Sequence, residues 1–150
     1  MILRKAFGES GQYPDLVLSA HAHLYQRITY TDSDGRQTPY LIVGSGGHGP
    51  VEKISTSCAG ELLPPPQAPF DVLLPKGLRW PKGDSAKVVA YVDDDFGFLR
   101  LTIEEKLIVG EFFSAYSKSQ PDRSVPILAD SFTLKRRKHL VRTANVIERQ

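Results

Sequence analysis

The side chains most able to do chemistry are gathered in Pro14-Asp15-Leu16-Val17-Leu18-Ser19-Ala20-His21-Ala22-His23-Leu24-Tyr25-Gln26-Arg27. Two imidazoles at i and i+2, just past a short apolar run, can project together from a sheet edge, which is where open α/β sheets hold their ligands. Neutral imidazole is a common ligand for zinc, iron and other first-row metals. A bare His-x-His also occurs as a structural or solvent-facing pair, so its surroundings must decide. Further along, Gly46, Gly47 and His48 in Gly44-Ser45-Gly46-Gly47-His48-Gly49-Pro50 could line the same cleft, their successive N–H groups forming an anion nest. The glycines equally allow a sharp exit from a strand, and their spacing matches neither a P-loop nor a dinucleotide fingerprint. Asp93-Asp94-Asp95 lacks calcium-loop spacing and is read as a solvated turn, while Asp130-Ser131, with apolar neighbours, is read as a buried hydrogen-bonded pair. Cys58 has no flanking cation to activate it and His139 lies in a charged tail, so neither is given a role.

The elements that must position these groups follow from periodicity. Ile2, Leu3, Ala6 and Phe7 recur at helical spacing up to Gly8 and Gly11, which predicts one short N-terminal helix. Leu16-Val17-Leu18 does not alternate, the mark of a strand covered on both faces. Ile28 to Tyr30 and Tyr40 to Val43 flank Asp32-Ser33-Asp34-Gly35, whose turn chemistry predicts a hairpin or meander. A proline-rich stretch over about 50–84, with Pro64-Pro65-Pro66 at its centre, reads as one long, irregular and partly ordered excursion. Lys87 to Val92, Phe96 to Ile103, Leu107 to Tyr116 and Ile127 to Leu134 are strand-like, with Glu104-Glu105-Lys106 as a tight connection. Leu16 to Leu18 is also expected to leave an apolar patch or unpaired edge, and hence self-association, if its neighbours lie outside this chain.

The histidine string resembles the last signature of the calcineurin-like metallophosphoesterases, a Gly-His-x-His at a strand end. It is closest to the purple acid phosphatase-like branch, in which an aromatic residue and an arginine follow, as Tyr25 and Arg27 do here. Tyr40-Leu41-Ile42-Val43-Gly44-Ser45-Gly46-Gly47 is similar to that branch's strand and glycine-rich loop, and Phe96 to Thr102 and Ala129 to Phe132 resemble its closing strands. The resemblance implies an α/β class domain, here a partial calcineurin-like metallophosphoesterase β-sandwich that is mostly antiparallel β. It implies hydrolysis of phosphoesters at a pair of metal ions (Fe, Mn or Zn), with His21 on one metal and His23 on its neighbour. Tyr25 would pack and Arg27 would bond to backbone or a carboxylate in support.

The same resemblance exposes departures. Ala20 stands where the family has glycine, which is awkward if the turn needs positive φ there. The upstream ligand motifs have no counterpart: there is no Asp-x-His, the only Gly-Asp is Gly83-Asp84 with no second aspartate three residues on, and the only asparagine is Asn145. The expectation is therefore the C-terminal portion of such a domain over residues 1–134, inactive alone, with weak metal binding and an upstream polypeptide needed to complete the fold and its phosphoester site.

Composition sets the outer bounds. The 150 residues are 41% hydrophobic, about one domain's worth, with no run resembling a membrane span or signal peptide and a single cysteine, so the chain reads as cytoplasmic. The formal charge of +2 is uneven: residues 135–150 carry six Lys/Arg against Glu148, which leaves −3 on residues 1–134. This basic tail reads as solvated more than as a nucleic-acid contact. The rival functions are a non-enzymatic β-rich interaction module and a nucleic acid-associated protein acting through the tail.

Overall fold

A computed structural model describes residues 2–47, 49–54, 67–72, 74, 77–117 and 120–137, without the side chains of Ile2 and Arg4. One helix, α1 (Ile2–Ser10), precedes eight strands: β1 (Val17–Ser19), β2 (Tyr25–Thr31), β3 (Gln37–Val43), β4 (Phe70–Asp71), β5 (Ser85–Val92), β6 (Asp95–Ile103), β7 (Leu107–Ser117) and β8 (Ile127–Lys135). They form a five-stranded sheet in the order β1-β3-β2-β5-β4 and a three-stranded sheet in the order β6-β7-β8. Every pairing is antiparallel except that of β1 with β3. The fold is thus mostly antiparallel β with one short helix.

The β2–β3 turn forms as its chemistry requires. The Asp32 carboxylate accepts the N–H groups of Asp34 and Arg36 at 3.0 and 2.8 Å, and Gly35 takes a φ of 76°. Such Asx geometry fixes the register Thr31↔Gln37 and with it which side chains of β2 and β3 face inward.

The sheets meet face to face. Tyr25 and Leu41 from the first and Phe112 and Phe132 from the second form the buried centre, with Val43, Val92, Leu99, Leu101 and Leu134 packed around it. Tyr25 and Phe112 stack with ring centroids 3.9 Å apart at 9°. Along β7 the period of two is plain, with Ile108, Gly110, Phe112 and Ser114 buried and the residues between them less so.

Three expectations are corrected. The strand from Leu16 to Leu18 is not covered on both faces: β1 is the edge of its sheet and Leu18 is 52% exposed, since among the described residues β3 is its only paired neighbour. The proline-rich stretch is not all irregular. Phe70 and Asp71 pair with Val88 and Lys87, Phe70 meets the Tyr91 ring edge-on, and buried Ile54 and Asp84 anchor the stretch on either side. Nor is Asp93-Asp94-Asp95 a solvated turn. Asp93 accepts the Ile54 N–H at 3.0 Å, and Asp95 opens β6 bonded to Ser114 and paired with Arg123, leaving only Asp94 well exposed.

The fold also runs past Leu134. Arg136 Nη1 donates to the carbonyls of Glu104 and Glu105, and Arg137 donates from its backbone to Asp15 and from its guanidinium to the Pro14 and Gln37 carbonyls. These two tail cations clasp the second sheet to the foot of β1 and β3.

Candidate functional site

The histidine loop is built from the end of β1 and the start of β2. Leu24 N–H donates to the Ala22 carbonyl at 2.9 Å and Gly44 N–H to the Leu24 carbonyl at 3.0 Å, so the chain folds into a tight corner against the end of β3. A Cβ on Gly44 would lie 1.9 Å from the Ala22 oxygen, so only glycine lets the two backbones come this close. The positive φ of the loop falls on His21, at 91°, and not on Ala20. An imidazole-bearing residue held there carries backbone strain that surrounding contacts must offset, a feature that recurs at functional sites.

His21 is exposed, whereas His23 is half-buried and tied to the following loop. Its N–H meets Glu52 Oε2 at 3.2 Å, its carbonyl accepts the Glu52 N–H at 2.9 Å, and Nδ1 lies 3.2 Å from the Pro50 carbonyl. A carbonyl can only accept, so Nδ1 donates in this contact, and the tautomer that makes it has its lone pair on Nε2. Backbone fixation of one ring nitrogen is how metal-binding histidines are commonly oriented. Gly49, at φ 73°, passes close over this ring, where a Cβ would lie 2.9 Å from Cε1.

The rest of the sandwich end is organised by carboxylates. Lys53 Nζ lies 3.5 Å from Asp93, tying the loop after His23's partner Glu52 to the β5–β6 turn. Ser45 is buried, and its carbonyl accepts the Gly97 N–H at 3.0 Å, joining β3 of one sheet to β6 of the other. Gly46 and Gly47 follow it on the exposed surface, and His48 lies outside the described residues. Glu52 is not singled out by the sequence, and Asp93 reads there only as part of a solvated acidic turn. Their partners lie 29 and 39 residues away, and no local pattern marks them.

Beneath the loop, Tyr25 and Arg27 converge on Asp130. Arg27 donates from Nε at 2.8 Å and Nη2 at 2.9 Å to the two carboxylate oxygens, and Tyr25 Oη donates at 2.6 Å. Arg27 also lies over the Phe132 ring, 5.0 Å from its centroid. Burial alone would raise the Asp130 pKa, but the hydrogen bonds from Arg27 and Tyr25 outweigh it and hold the carboxyl below its usual range. Burial, with the Asp130 carboxylate beside it, pushes the Tyr25 phenol well above its ordinary value. Asp130 therefore pairs chiefly with β2, with the Ser131 backbone adding a hydrogen bond while Ser131 itself is exposed.

Among the described residues no three His, Cys, Asp or Glu side chains converge into a group that could hold a metal ion. His21 and His23 do not by themselves fit the metal pair that the resemblance implies. The groove that reaches the foot of the loop, about 530 Å³ and lined by Leu18, Ser19, Ala20, Val43, Leu99 and Leu101, is apolar and offers no cation to a phosphate. The chain matches no known protein family, no curated protein and no solved structure. Among the described residues no helix is long and apolar enough to cross a membrane.

Proposed function

We propose that this chain carries the histidine edge of a calcineurin-like phosphoesterase centre and that carboxylates from a further polypeptide segment are needed to complete it. The observation that supports this reading is the loop itself: two histidines at the end of a parallel strand, pressed against glycine at the end of the neighbouring strand, with the His23 ring oriented from Nδ1 by a backbone carbonyl. Within the reading, the chain's own residues orient Nε2 of His23, hold His21 outward and support both from below through the Arg27–Asp130 pair. Imidazole donors bring no negative charge, so nothing in this set offsets the repulsion between two divalent cations held close together. Phosphoester hydrolysis is accordingly a property of the completed centre.

The test uses the full chain, an aryl phosphate, and Zn²⁺ or Mn²⁺ added in excess. Alone it should show no metal-dependent turnover and should lose its metal on dialysis. Adding a polypeptide that bears Asp-x-His and Asn-His motifs should restore both. Stoichiometric metal surviving dialysis, or turnover by the chain alone, in either case abolished by His21→Ala, would overturn the reading. A nucleic-acid role through the tail is less favoured, because Arg136 and Arg137 are already engaged by carbonyls and by Asp15.

A further inference from the structure

A second cavity lies on the other side of the five-stranded sheet. Tyr40 and Ile42 flank the core residue Leu41 on β3, so they point away from the shared core, and Ile28 and Tyr30 join them from β2. The stretch after β4 folds back over this face: Val72 N–H donates to the Ala86 carbonyl at 2.8 Å, and Trp80 Nε1 donates to the Val72 carbonyl at 3.4 Å. Between sheet and stretch is a space of about 480 Å³, the size of a small-molecule site, with Leu3 of α1 and Leu74 completing its lining.

Three aromatic rings line this space and are inclined to one another. Tyr30 and Tyr40 meet edge-on, with centroids 6.1 Å apart and planes at 79°, and Trp80 stands 6.0 Å from Tyr30 at 51°. Two of the rings are anchored, Trp80 through Val72 and Tyr30 through its phenol, which donates to Asp84. Asp84 is buried, and its carboxylate, which also accepts the Ser33 N–H at 3.0 Å, places negative charge behind the Tyr30 ring. No Lys, Arg or His is among the described lining residues, so nothing there meets an anion. The Ser19 hydroxyl already donates to the Leu41 carbonyl at 3.3 Å, which leaves the Tyr40 phenol as the polar group available to a ligand. An ammonium bearing N–H groups needs an acceptor for each, whereas a fully alkylated one needs none and is drawn to aromatic rings.

We propose that this cavity binds a quaternary ammonium group of the choline type, held by the rings of Tyr30, Tyr40 and Trp80 with Asp84 as the nearby countercharge. Ile28, Ile42 and Leu74 supply apolar wall for its methyl groups. The site uses neither histidine nor metal, and stands or falls independently of the phosphoesterase reading.

Trp80 is the only tryptophan of the chain, so its fluorescence reads the cavity directly. Choline titrated into the full chain should give a saturable change. Dimethylbutanol, the uncharged alcohol in which carbon replaces the choline nitrogen, should bind about tenfold more weakly, the scale of a desolvated cation–ring attraction. Ethanolamine, whose N–H groups lack acceptors here, should also bind more weakly than choline. Tyr40→Leu keeps an apolar wall but removes a ring, so it should weaken choline about tenfold and leave the alcohol nearly unchanged. Tyr40→Phe, which restores the ring, should bind choline as the parent does. Equal affinity for choline and the alcohol would make the cavity a plain apolar pocket and overturn the proposal. So would no saturable response to choline, ethanolamine binding as tightly as choline, a choline affinity unchanged in Tyr40→Leu, or a loss as large in Tyr40→Phe. If circular dichroism shows that Tyr40→Leu does not fold, the comparison of choline with the alcohol in the parent chain decides alone.

Discussion

The Asp130 carboxylate accepts three hydrogen bonds from β2, two from Arg27 and one from Tyr25, in a site where its own side chain is only 10% exposed. Removing one member of a buried, hydrogen-bonded pair leaves the other charge uncompensated, which costs about 3–5 kcal/mol. Asp130→Asn should therefore lower unfolding stability by about 3 kcal/mol or more in a urea titration at neutral pH. The pH dependence has a definite sign. Because the folded pKa lies below the unfolded value of about 3.9, the carboxylate contributes its full stabilisation above that pH and loses it as pH falls through the folded pKa. Asp95, held low by Ser114, Ser117 and Arg123 against the opposing effect of burial, adds to the same acid limb. Stability of the parent chain should fall below about pH 4, and Asp130→Asn should flatten that fall without abolishing it. An unchanged acid limb in the variant would show that Asp130 is not held in its charged form by the fold. The sequence marks Asp130 as buried and hydrogen-bonded and Arg27 as bonding to backbone or a carboxylate, but does not show that they are partners, because Arg27 and Tyr25 lie 103 and 105 residues away.

At the scale of the element, the sequence was most legible where structure is local. The Asp32-Ser33-Asp34-Gly35 turn, the helix over Ile2–Ser10 and the alternation in β7 are written in neighbouring residues, and each forms close to where periodicity and turn chemistry put it. What failed was non-local. β4 lies in a proline-rich stretch whose composition argues against a strand, and only pairing with β5 makes Phe70 and Asp71 extended. The acidic run at Asp93 resembled a solvated turn until Ile54 and Lys53 came against it from the loop after Glu52. The same distinction applies to the histidine loop. His21 and His23 stand out by spacing, but the requirement for glycine at position 44 comes from a contact with Ala22, 22 residues earlier in the chain. Gly44→Ala should push the histidine loop off the end of β3, costing about 1–3 kcal/mol as overpacking does. Amide shifts should be concentrated in residues 20–25 and 49–52. Shifts confined to β3 would mean that the loop does not rest on Gly44.

At the scale of the whole molecule, two sheets share one aromatic and aliphatic core, while one flank leaves that core open beside β1 and β6. The histidines sit at the end of β1, the strand at that flank, so the candidate site and the unpaired edge are neighbours. On the proposed reading the His23 ring is oriented for metal, while Glu52 and Asp93 beside the loop are engaged by backbone amides and Lys53, and Asp95 and Asp130 by Arg123 and Arg27. The most direct measurement is a Zn²⁺ titration of the full chain followed through the imidazole ring signals in long-range ¹H–¹⁵N spectra, with His139 in the tail as internal comparison. The account predicts that His21 and His23 shift together in fast exchange, with weak saturable binding lost in His23→Ala and no hydrolysis of an aryl phosphate at saturation. If the two rings do not respond, or respond no more than His139, or if two ions bind tightly in slow exchange with turnover, the account is wrong.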